Sequence, residues 1–131
     1  MRVLKLFFLI ALPVCLSAQT SKAIKTVTET SMDSKLGIPF PYKSQVTTYD
    51  QKGNVIDDIQ YKSDGTVDKH QSFKYDSKNN KIEEVDYLPD GKLDKKTVYT
   101  YDAYGNKTEK STYDALGKLK NQKKFSYTYY E

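Results

Sequence analysis

Residues 87–106 read YLPDGKLDKKTVYTYDAYGN and place one strand between two turns. In the segment LPDG at 88–91, proline suits the second position of a type I turn, and a left-handed glycine then closes a hairpin with a bulge. Between the turns, Leu93, Tyr99 and Tyr101 share a parity that predicts a common face on a pleated strand. The stretch therefore predicts the repeating unit of an antiparallel meander.

This unit recurs along the chain. Seven tyrosines are spaced alternately by 12 and 14 residues, which defines a 26-residue double unit present three times. They are Tyr49, Tyr61, Tyr75, Tyr87, Tyr101, Tyr113 and Tyr127. Four residues after each of the first six stands a glycine or, once, Asn79, the residue type that adopts the left-handed conformation most readily after glycine. In four units the tyrosine is followed by an aspartate whose carboxylate can accept backbone N–H bonds of the turn, namely Asp50, Asp76, Asp102 and Asp114.

The strand faces follow from the same parity. Two further long segments are predicted to have one apolar face each, formed by Val67, Phe73 and Tyr75 and then by Leu119, Phe125 and Tyr127. Ile56 and Ile82 break the alternation, which indicates a bulge or a second apolar spot.

The predicted fold class is all-β, an antiparallel β-meander of hairpin repeats. Six strands are expected from residue 54 onward, one at 45–49, and another in the β-rich segment 23–30. The segment 31–43 contains one glycine and two prolines and is predicted to be a loop. An open twisted sheet and a barrel-like roll use identical local signals, so both shapes remain open.

Residues 1–18 have the pattern of a secretory signal peptide. Arg2 and Lys5 form a basic start, an apolar run too short to span a bilayer follows, and Ala18 is the small residue that signal peptidase requires. We therefore expect a secreted or periplasmic protein. Lipoprotein anchoring through Cys15 is less favoured, because valine is a poor residue directly before a lipidated cysteine.

The predicted organisation is a signal peptide (1–18), an N-terminal cap with a strand and a loop (19–48), and the β-repeats (49–131). Removal of Arg2 and Lys5 lowers the formal charge from +4 to +2, which gives no electrostatic footprint for nucleic acid. The mature chain lacks cysteine, which excludes disulfides, thiolate metal sites and cysteine nucleophiles. It also lacks a transmembrane span, and we expect no cofactor.

The alternating units YDQKGN, YDSKNN and YDAYGN, and YKSDGT, YLPDGK and YDALGK, resemble the YD repeats of the Rhs family. The resemblance covers residues 49–127. It implies a continuous, spiralling antiparallel sheet in an exported protein; in that family the sheet can form a hollow shell around a cargo. Three double repeats are too few to enclose one, so the resemblance implies a small stand-alone relative.

Catalytic patterns are weak, and we expect no enzyme. His70 is the only histidine and is predicted to be a solvated surface residue, since a general base needs a partner and a pocket. The carboxylate pairs at 57–58 and 83–84 could serve a hydrolase, but neighbouring strand residues point to opposite faces. Cross-strand pairing with Lys69 and Lys95 explains these carboxylates more simply.

Aspartates beside the turns are candidate ligands for calcium. In each of the first two units, two aspartates four residues apart flank a turn: Asp64 and Asp68, and then Asp90 and Asp94. The third unit has Leu116 and Lys120 at these positions, and calcium needs six or more oxygens, so no metal is predicted.

The tyrosines have the widest functional scope, because their rings can stack on sugars or on a partner's apolar surface. The seven tyrosines of the repeat are predicted to form a cross-strand ladder instead. Four tyrosines outside this spacing are the predicted ligand contacts: Tyr42, Tyr104, Tyr129 and Tyr130. We therefore expect a non-catalytic module that binds glycan or cell-envelope polymer. The alternative is a protein-interaction or structural module that acts through an open sheet edge, and a hydrolase is the least favoured function.

Overall fold

The computed structural model describes residues 22–33 and 38–131, and these residues form one antiparallel sheet of eight strands. The order of the strands in space is their order in the chain. They are β1 (Thr26–Asp33), β2 (Ile38–Tyr49), β3 (Val55–Tyr61), β4 (Val67–Tyr75), β5 (Lys81–Tyr87), β6 (Leu93–Tyr101), β7 (Lys107–Asp114) and β8 (Leu119–Lys124). The predicted fold class is confirmed, and of the two shapes the sheet takes the open one, because β1 and β8 remain unpaired with each other.

The described residues contain no helix, and hence none long and apolar enough to cross a membrane. The signal-peptide prediction for residues 1–18, including Cys15, lies outside the described part of the chain.

The hairpin turns have the predicted geometry. In the first, Asp50 N–H donates to the Asn54 carbonyl oxygen and Gly53 N–H to the Asp50 carbonyl oxygen, and the same pair of bonds recurs in the other five turns of the repeats. The Asp50 carboxylate accepts the N–H groups of Lys52 and Asn54 at 2.8 and 2.9 Å. Asn79 has a φ of 66°, so it takes the left-handed position that glycine occupies elsewhere. The turn assignment is therefore confirmed.

Each hairpin carries a register shift directly after the turn. Ile56 and Ile82 are the extra residues in two of them, so the predicted bulges are confirmed. The shift after the 88–91 turn places Leu93 opposite Tyr87, whereas Tyr99 follows Thr97 on the face of Glu84.

The predicted common face of Leu93 with Tyr99 and Tyr101 is therefore wrong. The physical reason is the bulge, because one extra residue moves the start of the strand to the other face. The same correction applies at Val67 and Leu119, which lie opposite Tyr61 and Tyr113.

The N-terminal strands are longer than predicted, and the predicted loop at 31–43 is largely wrong. β1 continues to Asp33, and β2 begins at Ile38 and contains both prolines. The first part of β2 pairs with β1 alone, since its pairing with β3 begins at Gln45. Proline is tolerated there because one side of the strand is a free edge that needs no N–H donor.

The sheet has no second layer among the described residues, so little of it is buried. Val85 and Tyr99 are the only buried apolar residues described, at 9% and 6% exposure. Thr47, Thr97 and Ser111 are the buried polar ones. Rows of cross-strand neighbours, rather than a packed core between layers, therefore hold the fold together.

The repeat tyrosines link successive repeats. The hydroxyl groups of Tyr75, Tyr101 and Tyr127 each donate to a backbone carbonyl oxygen 20 residues earlier, at 2.9, 2.7 and 2.7 Å. The acceptors are Val55, Lys81 and Lys107. The predicted structural role is confirmed for these three tyrosines, although their contact is with the backbone of the neighbouring strand rather than with another ring.

Candidate functional site

The structure brings together two of the four predicted contact tyrosines. Tyr104 lies in the turn between β6 and β7, and Tyr129 lies in the segment after β8. Their ring centroids are 5.6 Å apart with an angle of 51° between the planes. Both side chains are exposed, at 82% and 60%. We call this pair, with Asp102 and Asn106, the tyrosine corner.

The other two predicted contact residues, Tyr42 and Tyr130, are not part of this pair. Tyr42 is on β2, and four strands separate β2 from β7 in the sheet. Tyr130 follows Tyr129 in the chain and is fully exposed.

The turn positions the corner. Oδ1 of Asp102 accepts the backbone N–H groups of Tyr104 and Asn106, both at 2.9 Å, which fixes the turn that presents the Tyr104 ring. Oδ2 of Asp102 accepts the Tyr129 hydroxyl at 3.2 Å, and the Asn106 side-chain amide donates to the same hydroxyl at 2.9 Å. The hydroxyl of Tyr129 is thus held from two sides, although its ring is exposed.

Hydrogen bonds also set the charge state of the corner. Desolvation opposes ionisation of Asp102, but the bonds from Asn106, Tyr104 and Tyr129 outweigh it and hold the pKa of Asp102 below its ordinary value. Desolvation and the bond to Asp102 raise the pKa of Tyr129. At neutral pH the corner therefore presents the carboxylate of Asp102 beside the neutral phenol of Tyr129.

These groups form a shallow, open site. Two exposed rings offer apolar faces, and the amide and carboxylate beside them can exchange hydrogen bonds with hydroxyl groups. The pattern suits a polyhydroxylated ligand that lies across a surface. Asp102 and Asn106 were missed as site residues in the sequence, because their turn role explains them fully and the partner, Tyr129, is 27 residues away from Asp102.

A second cluster surrounds the buried ring of Tyr99. The ammonium groups of Lys107, Lys81 and Lys110 lie 4.4, 5.3 and 5.8 Å from its centroid. Glu84 pairs with Lys81 and accepts the Tyr99 hydroxyl at 3.2 Å. Burial, followed by the charge of Glu84, raises the pKa of Tyr99 to about 12. Desolvation opposes ionisation of Glu84, but the bond from Lys81 leads the interactions that keep its pKa below the ordinary value.

His70 is not the solvated residue that the sequence predicts. Its Nε2 lies 2.8 Å from Oδ1 of Asp57, its ring stacks on Tyr87 with centroids 4.5 Å apart, and its side chain is 25% exposed. The hairpin register could have indicated the pair, because Asp57 lies opposite Ser72 and hence diagonally from His70. The hydroxyl of Ser72, which lies near His70 on β4, contacts the Tyr87 hydroxyl at 3.1 Å.

The carboxylate pairs point to opposite faces, as the sequence predicts. Asp57 contacts His70, whereas Asp58 accepts bonds from Gln45 and Thr47 at 2.6 and 2.9 Å. Glu83 pairs with Lys74 at 2.8 Å, on the face opposite Glu84.

The predicted lysine partners are wrong. Lys95 pairs with Asp86 at 3.5 Å, and Lys69 lies opposite Gln60. The register places Gln71 opposite Asp58 and Val98 opposite Glu83, so neither lysine lies directly opposite these carboxylates. Asp64 and Asp90, considered above for calcium, accept backbone N–H groups of their own turns. Within 22–33 and 38–131 no three acidic, histidine or cysteine residues come together as a metal site.

No family model matches the chain, and a search of curated proteins gave no match.

Proposed function

We propose that this protein is an exported, non-catalytic module that binds glycan or cell-envelope polymer through the tyrosine corner. The observation that carries the proposal is the pair of exposed rings of Tyr104 and Tyr129, 5.6 Å apart, beside a fixed carboxylate and amide. Export is inferred from the signal-peptide pattern of residues 1–18.

Physical chemistry supports this ligand class. Two exposed aromatic rings side by side form an apolar contact surface, and sugars present C–H faces that stack on rings and hydroxyls that bond to Asn and Asp. The shallow surface around the corner suits an extended polymer better than a small molecule, which would need an enclosed pocket.

The test is binding of the purified protein to an array of glycans and envelope polysaccharides. Tyr104→Ala should abolish binding to the preferred polymer. It should leave the thermal midpoint unchanged, because the Tyr104 side chain is 82% exposed and its removal uncovers little buried surface. Tyr129→Phe should weaken binding less, because the ring remains and only the anchored hydroxyl is lost.

Leu116→Ala is the matched control. Leu116 is 94% exposed and lies in the β7–β8 turn, at the other end of the strands from Tyr104. Its removal deletes a comparable apolar side chain and should leave binding intact. Equal losses in Tyr104→Ala and Leu116→Ala, or loss of binding together with stability, would refute the corner as the site.

A second candidate function is protein interaction through a sheet edge. All six residues of β8 are exposed, and its outer side pairs with no strand among the described residues. Such an edge is a template for another chain's strand.

A further inference from the structure

The β8 edge is strongly basic. Its sequence is LKNQKK, with Lys120, Lys123 and Lys124 and no acidic residue. Lys124 lies opposite Glu109 of β7, and its charge helps to lower the pKa of that carboxyl. Like charges would oppose the pairing of two β8 strands with each other.

Lys123 is in a different environment. It lies directly opposite Lys110, and the described residues place no carboxylate within ion-pair distance of it. Like charges directly opposite each other destabilise a strand pair. A carboxylate on the free side of β8 would relieve that repulsion.

The β1 edge carries the complementary charge. Its sequence is TVTETSMD, with Glu29 and Asp33 and no basic residue. The outer side of β1 also pairs with no described strand. Glu29 has an exposed side chain without an ion-pair partner among the described residues. One edge of the sheet is therefore acidic and the other basic.

The strand directions allow these edges to pair between two molecules. Strands alternate in direction through the meander, so β1 and β8 run antiparallel to each other. A second molecule shifted along the sheet would therefore add its β1 to β8 as an ordinary ninth strand.

The repeat also suggests a register. Thr28 lies opposite Val46, which is three residues before Tyr49. Glu109 lies opposite Lys124, which is three residues before Tyr127. Thr28 and Glu109 are therefore equivalent positions of the repeat. Glu109 in turn lies opposite Thr100, one residue before Tyr101. Continuing that pattern places Thr28 of the second copy opposite Ser126.

In this register Ser31 of the second copy lies opposite Lys123. Glu29 then occupies a diagonal position on the same face, within reach of a lysine side chain. Lys123, which lies opposite Lys110 within its own molecule, gains the carboxylate of Glu29.

We propose that a second copy of this chain pairs its β1 with β8, and that the copies join head to tail into linear assemblies. This inference names the partner for the edge function proposed above and rests on it. The interface is heterologous and leaves an acidic and a basic edge free at the two ends, so a further copy can add at either end. In this register Thr26, the first residue of β1, lies opposite Thr128, so the paired segment ends beside Tyr129 and glycan binding is measured separately from assembly.

The test is the mass of the protein by sedimentation velocity and light scattering over a range of concentrations. The unchanged protein should increase in average mass with concentration, and added salt should reduce that increase by screening the charges. Lys123→Glu should remain monomeric, because its new carboxylate would lie beside that of Glu29 of the second copy and repel it. Glu29→Lys combined with Asp33→Lys should also remain monomeric, because both of its edges are then basic.

The decisive measurement mixes these two variants. The new carboxylate at position 123 of one variant should pair with the new lysine side chains on β1 of the other, so the mixture should assemble although neither variant does so alone. Lys118→Glu is the control, since it makes the same change of charge in the β7–β8 turn outside the strand and should assemble like the unchanged protein. Far-UV spectra and melts should show all variants folded, because the side chains of β8 are exposed.

Two results would overturn the inference. One is an unchanged protein that stays monomeric at every concentration, and the other is a mixture of the variants that does not assemble. Binding of a fluorescently labelled synthetic peptide with the β1 sequence distinguishes two claims: that the β8 edge accepts a strand, and that the strand comes from a second copy. A monomeric protein that still binds an unrelated acidic strand peptide at β8 would overturn the second copy and keep the edge function, whereas one that binds neither peptide would overturn both.

Discussion

At the left-handed turn positions, the backbone alone selects the residue. Gly91 has a φ of 85°, and a Cβ built there would meet no atom within 4 Å, so any cost of substitution is conformational rather than a clash. Gly91→Val should destabilise the protein by about 1–3 kcal/mol, because a β-branched residue is strained in this region. Asn79→Gly should be neutral or mildly stabilising. Urea unfolding measures both, and equal midpoints for the two variants would refute the turn assignment.

The turn aspartates should make stability depend on acid. The side-chain bond from Asn54 is the main cause that lowers the pKa of Asp50 below 3.8, and the bond from Asn80 does the same for Asp76. A carboxyl whose pKa is lower when folded stabilises the protein fully above its unfolded pKa, and this contribution is lost as the pH falls through the folded value. We therefore expect the urea midpoint to fall steeply below a pH of about 4. Asp76→Asn should be less stable at neutral pH, and its urea midpoint should fall less as the pH is lowered. An equal fall in the variant and the unchanged protein would count against this role of Asp76.

At the scale of the strand, the repeat tyrosines should contribute through their hydroxyl groups. The Tyr101 hydroxyl donates to the Lys81 carbonyl oxygen at 2.7 Å and joins two repeats. Tyr101→Phe keeps the ring and should cost about 0.5–1.5 kcal/mol, the usual net value of such a bond. Tyr104→Phe is the matched control, since its side chain is 82% exposed and should change the thermal midpoint little. Equal midpoints for the two variants would show that the ring, not the hydroxyl, links the repeats.

The strands and turns were predictable because their signals are local. Gly91 and its equivalents report a φ above zero, and the tyrosine spacing sets the strand lengths. The face on which the first residue of each strand lies was not predictable, because a bulge adds a residue without changing the sequence pattern, as at Leu93. The β1–β2 pair was missed because Pro39 argues against a strand unless one knows that this part of β2 is an edge.

The candidate site was predictable only in part, for a related reason. Tyr104 lies in a turn whose exposure follows from the local pattern. Its contact with Tyr129, and the bond of Tyr129 to Asp102, join residues 25 and 27 positions apart through the path of the C-terminal segment. The His70–Asp57 pair likewise depends on strand register, which the sequence specifies only once the turn type and the bulge are both known.

For the whole molecule, the sheet behaves as a one-dimensional stack. Each strand contacts only its neighbours in sequence, and no second layer among the described residues covers either face. Stability should then be approximately a sum of nearest-neighbour terms rather than the property of one core.

This architecture predicts a gradient of amide protection. β6 holds two buried residues, Thr97 and Tyr99, and lies beside Val85 and Ser111 of the adjacent strands, whereas every residue of β8 is exposed. Native-state hydrogen exchange, measured at a dilution where the protein is monomeric, should therefore be slowest in β6 and fastest in β8. The intervening strand, β7, should show intermediate protection because it pairs with a protected strand on one side and an exposed one on the other. Uniform protection from β6 to β8 would mean that the sheet opens as one cooperative unit, and the nearest-neighbour account of its stability would then be wrong.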